Sequence, residues 1–310
     1  MYRTILVPLD GSTLAERALT VARPLVTGTD SRLILIRAVP LDTVPNTEAQ
    51  AYLAAVAARL DIPVPVDQVL YYGDAPEGIL EEANRRRADL IVMATHGRSG
   101  LGRWLYGSVA DEVLRRVPMP VLLVPATCDR IWDGTRPLRL LVPLDGSRFS
   151  LTALGAARAL CQLAGPAGAE IALLQVIEPP SAALFSTGLG EILLDDDALL
   201  AEARQYLDRI ANTLAPSARA VTAHVVVGSP AVEIAALARI WPADMIVMAT
   251  HGRGGLTRLV MGSTATGTLH RAHTPLLLVR PTSVQLAAVA ESATPATQAR
   301  SEGQRVAGTT

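Results

Sequence analysis

The sequence predicts an α/β protein made of two doubly wound, open parallel five-stranded sheets with helices on both faces. Three observations predict it. The chain repeats itself: "ILVPLDGS" at 5–12 returns as "LLVPLDGS" at 140–147, and "ADLIVMATHGRSGLGRWLYGS" at 88–108 returns as "ADMIVMATHGRGGLTRLVMGS" at 243–263. Self-similarity on this scale marks a duplicated unit. Within each copy, short and nearly continuous apolar runs alternate with segments of helical apolar spacing, which is the pattern of a parallel sheet buried on both faces. The length of 310 residues suits two domains of roughly 140 residues and a tail.

The elements follow in order. Arg3–Asp10 is a short apolar run ending in a turn, and Leu14–Val26 carries apolar residues at helical spacing. Arg32–Val39 reads as a strand, Thr47–Leu60 as a helix, Pro65–Asp74 as a strand and Ala75–Arg87 as a helix. The buried run Ala88–Thr95 leads through a glycine-rich stretch to the helical Ser108–Val117 and the final strand Met119–Pro125. The second copy supplies strands at Arg139–Asp145, Glu170–Glu178, Ala223–Ser229, Ala243–Thr250 and Pro275–Arg280. Asp10 to Asp145 spans 135 positions and Gly97 to Gly252 spans 155, so about 20 extra residues lie between these landmarks in the second copy. They include Pro179–Asp197, where Leu184, Phe185, Leu189, Ile192, Leu193 and Leu194 are more apolar than an exposed loop requires. That segment reads as a lid, an interface element, or a helix packed on its own domain with Asp195–Asp197 a solvated face or a helix start. The predicted units are 1–130 and 136–281. The small and polar residues 282–310 show no periodicity and read as a disordered tail.

A net charge of −1 gives no electrostatic reason for a nucleic-acid or membrane partner. No apolar run approaches the length of a membrane span, and the N-terminus shows no charged-then-apolar leader pattern. A soluble, cytoplasmic protein is the expectation. Cys128 and Cys161 occupy non-equivalent places in the two copies, which suggests neither a metal cluster nor a repeated disulfide. All 28 basic residues are arginine. The absence of lysine excludes a Walker-type phosphate loop, a Schiff-base enzyme and a lysine general base.

A doubly wound sheet binds ligands at the carboxyl ends of its strands, where the winding reverses. The segments there are Pro8-Leu9-Asp10-Gly11-Ser12 after the first strand and Thr95-His96-Gly97-Arg98-Ser99-Gly100 after the fourth, followed by Gly107-Ser108 at a helix start. Glycines let a backbone approach a ligand, and free amides at a helix start bind anions, so phosphate is the natural guest. Each residue has a second reading. Asp10 and Asp145 also suit the strand-to-helix turn, with Ser12 and Ser147 as N-caps. Ser108 also suits an N-cap, with Asp111 completing a capping box. His96 and His251 have no visible nucleophile or carboxylate partner in the sequence, so they read as loop-ordering or ligand-contact residues rather than catalysts. Arg98, Arg253, Arg103 and Arg258 are either phosphate partners or solvated loop cations.

Taken together, these motifs resemble a tandem universal stress protein, with both modules covered from about residue 1 to residue 281. The fingerprint of that family's nucleotide-binding members, Gly-x2-Gly-x9-Gly-Ser/Thr, maps to Ala94-x2-Gly97-x9-Gly107-Ser108 and to Ala249-x2-Gly252-x9-Gly262-Ser263, with alanine replacing the first glycine in both copies. The resemblance implies a Rossmann-like sheet of the adenine nucleotide alpha hydrolase-like type. It also implies ATP, with Mg2+ or Mn2+, held between the first and fourth strands of each module. The triphosphate would lie on Gly97, Arg98, Gly100, Gly107, Ser108 and Val109, and on Gly252, Arg253, Gly255, Gly262, Ser263 and Thr264. Adenine and ribose would lie near Pro8, Asp10, Ala38 and Met93, and near Pro143, Asp145, Val176 and Met248.

The same resemblance implies that the modules pair through their last strands as an intramolecular pseudo-dimer, which leaves room for a further homodimer of chains. Exposed apolar edges invite such pairing. The function implied is a nucleotide-dependent regulator of the stress response with an unidentified protein partner, at most slow ATP hydrolysis and no catalytic residue. A weak ATP hydrolase and a nucleotide-free partner-binding module remain alternatives, the latter because of Ala94 and Ala249. The first copy carries Asp111 and Glu112 in the turn after its phosphate motif, where the second has no carboxylate. An anion there competes with phosphate for the positive helix end, so the second site is expected to accept a triphosphate at least as well as the first.

Overall fold

The computed structural model describes residues 2–26, 30–43, 45–95, 107–179, 196–250 and 261–280. Residues 1–280 form one compact unit. The predicted tail 282–310 and residues 180–195 of the insertion lie outside the described residues. The strands are β1 (Thr4–Pro8), β2 (Arg32–Val39), β3 (Val66–Tyr72), β4 (Leu90–Thr95), β5 (Val121–Pro125), β6 (Leu138–Pro143), β7 (Ala169–Ile177), β8 (Ala220–Val227), β9 (Met245–Ala249) and β10 (Leu276–Val279). The α-helices are α1 (Thr13–Ala22), α2 (Thr47–Arg59), α3 (Ala75–Arg85), α4 (Ser108–Arg116), α5 (Thr152–Leu163), α6 (Asp196–Leu214), α7 (Pro230–Ile240) and α8 (Ser263–Arg271).

The two parallel five-stranded sheets are present and joined into one. The order is β3-β2-β1-β4-β5-β10-β9-β6-β7-β8, and β5 and β10 meet antiparallel at the centre. Leu276 lies opposite Leu123, Leu277 opposite Leu122 and Leu278 opposite Val121. All six side chains are buried. Because strand side chains alternate between faces, the apolar runs build two layers. Ile5, Val7, Leu33, Leu35, Leu90, Val92 and Leu122 share one with α1, α2, α5 and α6, while Leu6, Ile34, Ile36, Ile91, Met93 and Leu123 share the other with α3, α4, α7 and α8. Each layer runs through both halves of the chain.

Local chemistry sets the helix limits. Ser12 Oγ accepts from the Ala15 amide at 3.0 Å and Asn46 Oδ1 from the Ala49 amide at 2.8 Å, capping α1 and α2. The first helix stops at Ala22 and tightens into a 3-10 turn over Arg23–Leu25, earlier than its periodicity predicts, because Pro24 has no amide to continue the α-helical ladder. In the second copy Ser147 is not an N-cap. Its Oγ accepts from the Ser150 amide at 3.2 Å within a turn, and α5 starts only at Thr152. The Ser150 and Thr152 hydroxyls bond back to the Ser147 and Phe149 carbonyls at 2.8 and 2.7 Å. Such side-chain bonds offer the backbone an alternative to the helix. α6 starts at Asp196, and residues 180–195, on which the readings of the insertion turn, lie outside the described residues.

The connection between the two halves is packed. Cys128 and Trp132 are buried, and the indole Nε1 donates to the Arg136 carbonyl at 2.7 Å. Asp244, its side chain fully buried, receives Arg130 Nε at 2.8 Å, both terminal nitrogens of Arg136 at 2.6 Å and the Arg139 amide at 3.0 Å. Cys128 and Cys161 are both free thiols. Burial pushes Cys161 up to about 11, which makes it a poor nucleophile at neutral pH.

Candidate functional site

The turns after β1 and β6 have the same construction. The Ser12 amide donates to Asp10 Oδ1 at 2.8 Å, and the Ser147 amide donates to Asp145 Oδ1 at 2.9 Å. Both aspartates therefore organise their own turn in an Asx arrangement. Pro8 ends β1 and Pro143 ends β6.

Met93, Val176 and Met248 belong to the layer that contains Ala110 and Val113 of α4 and Ala265 and Leu269 of α8. Ala38 lies two residues beyond Ile36 of that layer and so on the same face. The residues expected around adenine thus share a sheet face with the two helices whose starts are expected to hold phosphate. Gly97, Arg98, Gly100, Gly252, Arg253 and Gly255 lie outside the described residues, as do His96, His251, Arg103 and Arg258.

Gly107, not Ser108, is the N-cap of α4, and Gly262, not Ser263, that of α8. The capping-box reading is therefore corrected: Ser108 is the first helical residue, and among the described residues no side chain caps the N-terminus of either helix. Asp111 instead bonds Arg115, with Oδ2 3.0 Å from Nε. Gly107 has φ +88, a left-handed conformation that only glycine adopts without strain. Gly262 has φ −60, but a Cβ there would lie 3.3 Å from the Thr250 carbonyl oxygen. Glycine is favoured in the first copy by conformation, and in the second a side chain would press tightly on the Thr250 carbonyl. Uncapped first-turn amides behind a glycine suit a phosphate. Ala94 and Ala249 lie within β4 and β9, in register with Val124 and Val279, where extended backbone accommodates a methyl group.

The charges around the two sites differ. Asp111 and Glu112 are ion-paired along the helix with Arg115 and Arg116, each at 3.0 Å, which neutralises part of the negative charge that α8 lacks altogether. Arg37, at the end of β2, packs its guanidinium 3.2 Å from where a Cβ on Gly11 would lie and 4.9 Å from the centre of the Tyr52 ring. Burial, then the neighbouring Glu16 carboxylate, pushes the Tyr52 phenol up to about 12, so it is protonated at physiological pH. The second copy has Gln175 in place of Arg37. Its side chain is buried, and its Oε1 finds no hydrogen-bond partner. Sequence reasoning passed over this pair, although Arg37 was visible as the charged residue within an otherwise apolar strand. Among the described residues no three His, Cys, Asp or Glu side chains converge to hold a metal ion, and no helix is long and apolar enough to cross a membrane.

Known proteins resemble the chain along most of its length. The pattern described as "Universal stress protein family" matches residues 1–125 and again 138–280. A universal stress protein of Mycobacterium tuberculosis is 28% identical over 236 residues, which covers 74% of this chain and 73% of that protein. A universal stress protein of Thermus aquaticus is 33% identical over 138 residues, or 40% of this chain and 99% of that protein. The crystal structure of a universal stress protein from Archaeoglobus fulgidus shares the fold, with a TM-score of 0.64 at 20% identity, covering 89% of this chain and 96% of that one. A structure described as a putative universal stress protein from Pseudomonas aeruginosa does so with a TM-score of 0.60 at 20% identity, covering 95% of this chain and 98% of that one. Two matches to one family, along a chain that repeats its strand-one and strand-four motifs, lead to one conclusion: this chain belongs to the universal stress protein family and carries the family's unit twice in tandem.

Proposed function

We propose that the chain is an ATP-binding regulator of the stress response, with one nucleotide site in each module, 1–130 and 136–281. The observation that carries this reading is the pair of glycine-capped helix starts, Gly107-Ser108-Val109 and Gly262-Ser263-Thr264, where among the described residues no side chain caps the first-turn amides. The triphosphate would rest on those amides and on the glycines and arginines of the preceding loops, with Mg2+ or Mn2+ accompanying it. Adenine and ribose would lie against Pro8, Asp10, Ala38 and Met93 in one module and Pro143, Asp145, Val176 and Met248 in the other. Bound ATP would supply binding energy that stabilises one conformation or assembly over another. Fast hydrolysis has no support in this chain. It lacks lysine, and the described carboxylates nearest the first helix start are paired with arginine. A positioned base and multiple cations normally drive phosphoryl transfer. The protein would work in the cytoplasm.

Titration of ATP with magnesium into Gly107→Val and Gly262→Val variants tests the two sites separately. Each variant is expected to lose one site, with at least about tenfold weaker binding there as a branched side chain obstructs the phosphate. The site left in Gly107→Val should bind at least as tightly as the site left in Gly262→Val, because α8 carries no first-turn carboxylate. Two equal sites surviving both substitutions would remove the glycine-capped helices from the account.

A further inference from the structure

The last residue of the compact unit belongs to the second module but makes its side-chain bonds in the first. Arg280 Nη2 donates to the carbonyls of Leu114 and Arg115, at 2.5 and 2.9 Å, in the last turn of α4. Those carbonyls have a particular need. The last four carbonyls of a helix lack intrahelical partners, and the residue that would follow as donor to Leu114 is Pro118, which has no amide. A guanidinium at that end also opposes the negative pole of the helix. The positive pole of the same helix is the Gly107-Ser108 start.

The arrangement is one-sided. Aligning "PVLLVP" at 120–125 with "PLLLVR" at 275–280 puts Pro125 where the second module has Arg280, so the equivalent position of the first module returns no donor to α8. Aligning "RRVPMP" at 115–120 with "HRAHTP" at 270–275 puts His273 in the place of Pro118, so α8 keeps the backbone amide that α4 lacks. The same strand end also supports the second phosphate motif. The Thr250 amide donates to the Val279 carbonyl, and the Gly262 amide donates to the Thr250 carbonyl, both at 2.9 Å. Arg280, Arg115 and Leu114 line one small cavity with Thr250 and Met261. Val279 at the end of β10 thus holds α8's cap glycine through the backbone by way of Thr250, and Arg280 directly after it holds α4's far end through its side chain.

We propose that Arg280 is a positioning residue for the first nucleotide site, so that the first module's phosphate helix is complete only with the second module docked, while the second site needs no reciprocal residue. The assignment rests on the reading that the Gly107 start of α4 holds phosphate. Full-length protein with Gly262→Val isolates the first site. Adding Arg280→Gln there weakens ATP binding about three- to tenfold, the size expected for losing a charge-assisted helix cap. Arg280→Lys, which keeps the charge, recovers part of the loss. In the Gly107→Val background, where only the second site remains, Arg280→Gln leaves affinity within about twofold, since it removes no backbone bond at Thr250. Equal losses at both sites, or none at the first, overturn the proposal.

Hydrogen exchange of the α4 amides without nucleotide supplies a readout that does not depend on ATP. Arg280→Gln speeds exchange in α4 and not in α8, and unchanged α4 protection overturns the proposal by itself. Should wild-type protein bind no ATP while α4 exchange still responds, the nucleotide reading fails and the hold of Arg280 on α4 stands.

Discussion

Replacing Leu277 with Asp is expected to abolish the native fold under ordinary conditions, with a loss above about 5 kcal/mol. Leu277 is fully buried opposite Leu122, itself fully buried, at the antiparallel seam between β5 and β10. The substitution removes a buried leucine side chain, about 2–3 kcal/mol by area. It also places a carboxylate among apolar groups, which costs several more. Val227 on the edge strand β8 is the control: it is 53% exposed, and Val227→Asp should change stability by less than about 1 kcal/mol. Urea unfolding followed by circular dichroism reads both. A Leu277→Asp protein that unfolds within about 1 kcal/mol of wild type would mean that the two halves do not share this seam.

The second large effect is expected at Asp244. Asp244→Asn should destabilise the chain by about 2–4 kcal/mol, because removing one member of a buried ion pair strands the others. Here the stranded groups are Arg130 and Arg136, each about one-third exposed, and their access to water moderates the cost. Asp89 is the matching residue of the first copy and, among the described residues, accepts the Arg3 and Thr4 amides, both at 3.0 Å, with no arginine side chain. Asp89→Asn should cost about 1 kcal/mol. Similar losses from the two substitutions would show that the arginines of the connecting segment contribute nothing to its docking.

These positions show where the sequence was legible. The strands were, because uninterrupted runs such as Leu33–Ile36 and Leu276–Leu278 have one stable place, inside a sheet covered on both faces. The repeated Asp-Gly-Ser and Gly-Ser motifs marked the turn after the first strand and the helix start after the fourth in each copy, the end of a doubly wound sheet where ligand sites are expected. Less legible were features decided by competition or by distant residues. Ser147 looks like Ser12, yet the hydroxyls of Ser150 and Thr152 divert the backbone that follows it. Ser108 has the chemistry of an N-cap, but Gly107 in its left-handed conformation takes that position. Nothing near Asp244 in the sequence announces that Arg130 and Arg136, more than a hundred positions earlier, close on it. The end-on contact of Arg280 with α4 likewise depends on β5 and β10 meeting first.

The central claim, that each module holds ATP, is tested most directly by denaturing freshly purified full-length protein and quantifying the released nucleotide per chain by ion-exchange chromatography. The account predicts about two ATP per chain, one for each glycine-capped helix start. Protein that releases none, and whose melting temperature does not move when ATP and magnesium are added, would contradict it and leave a stress-family module that works through protein contacts alone.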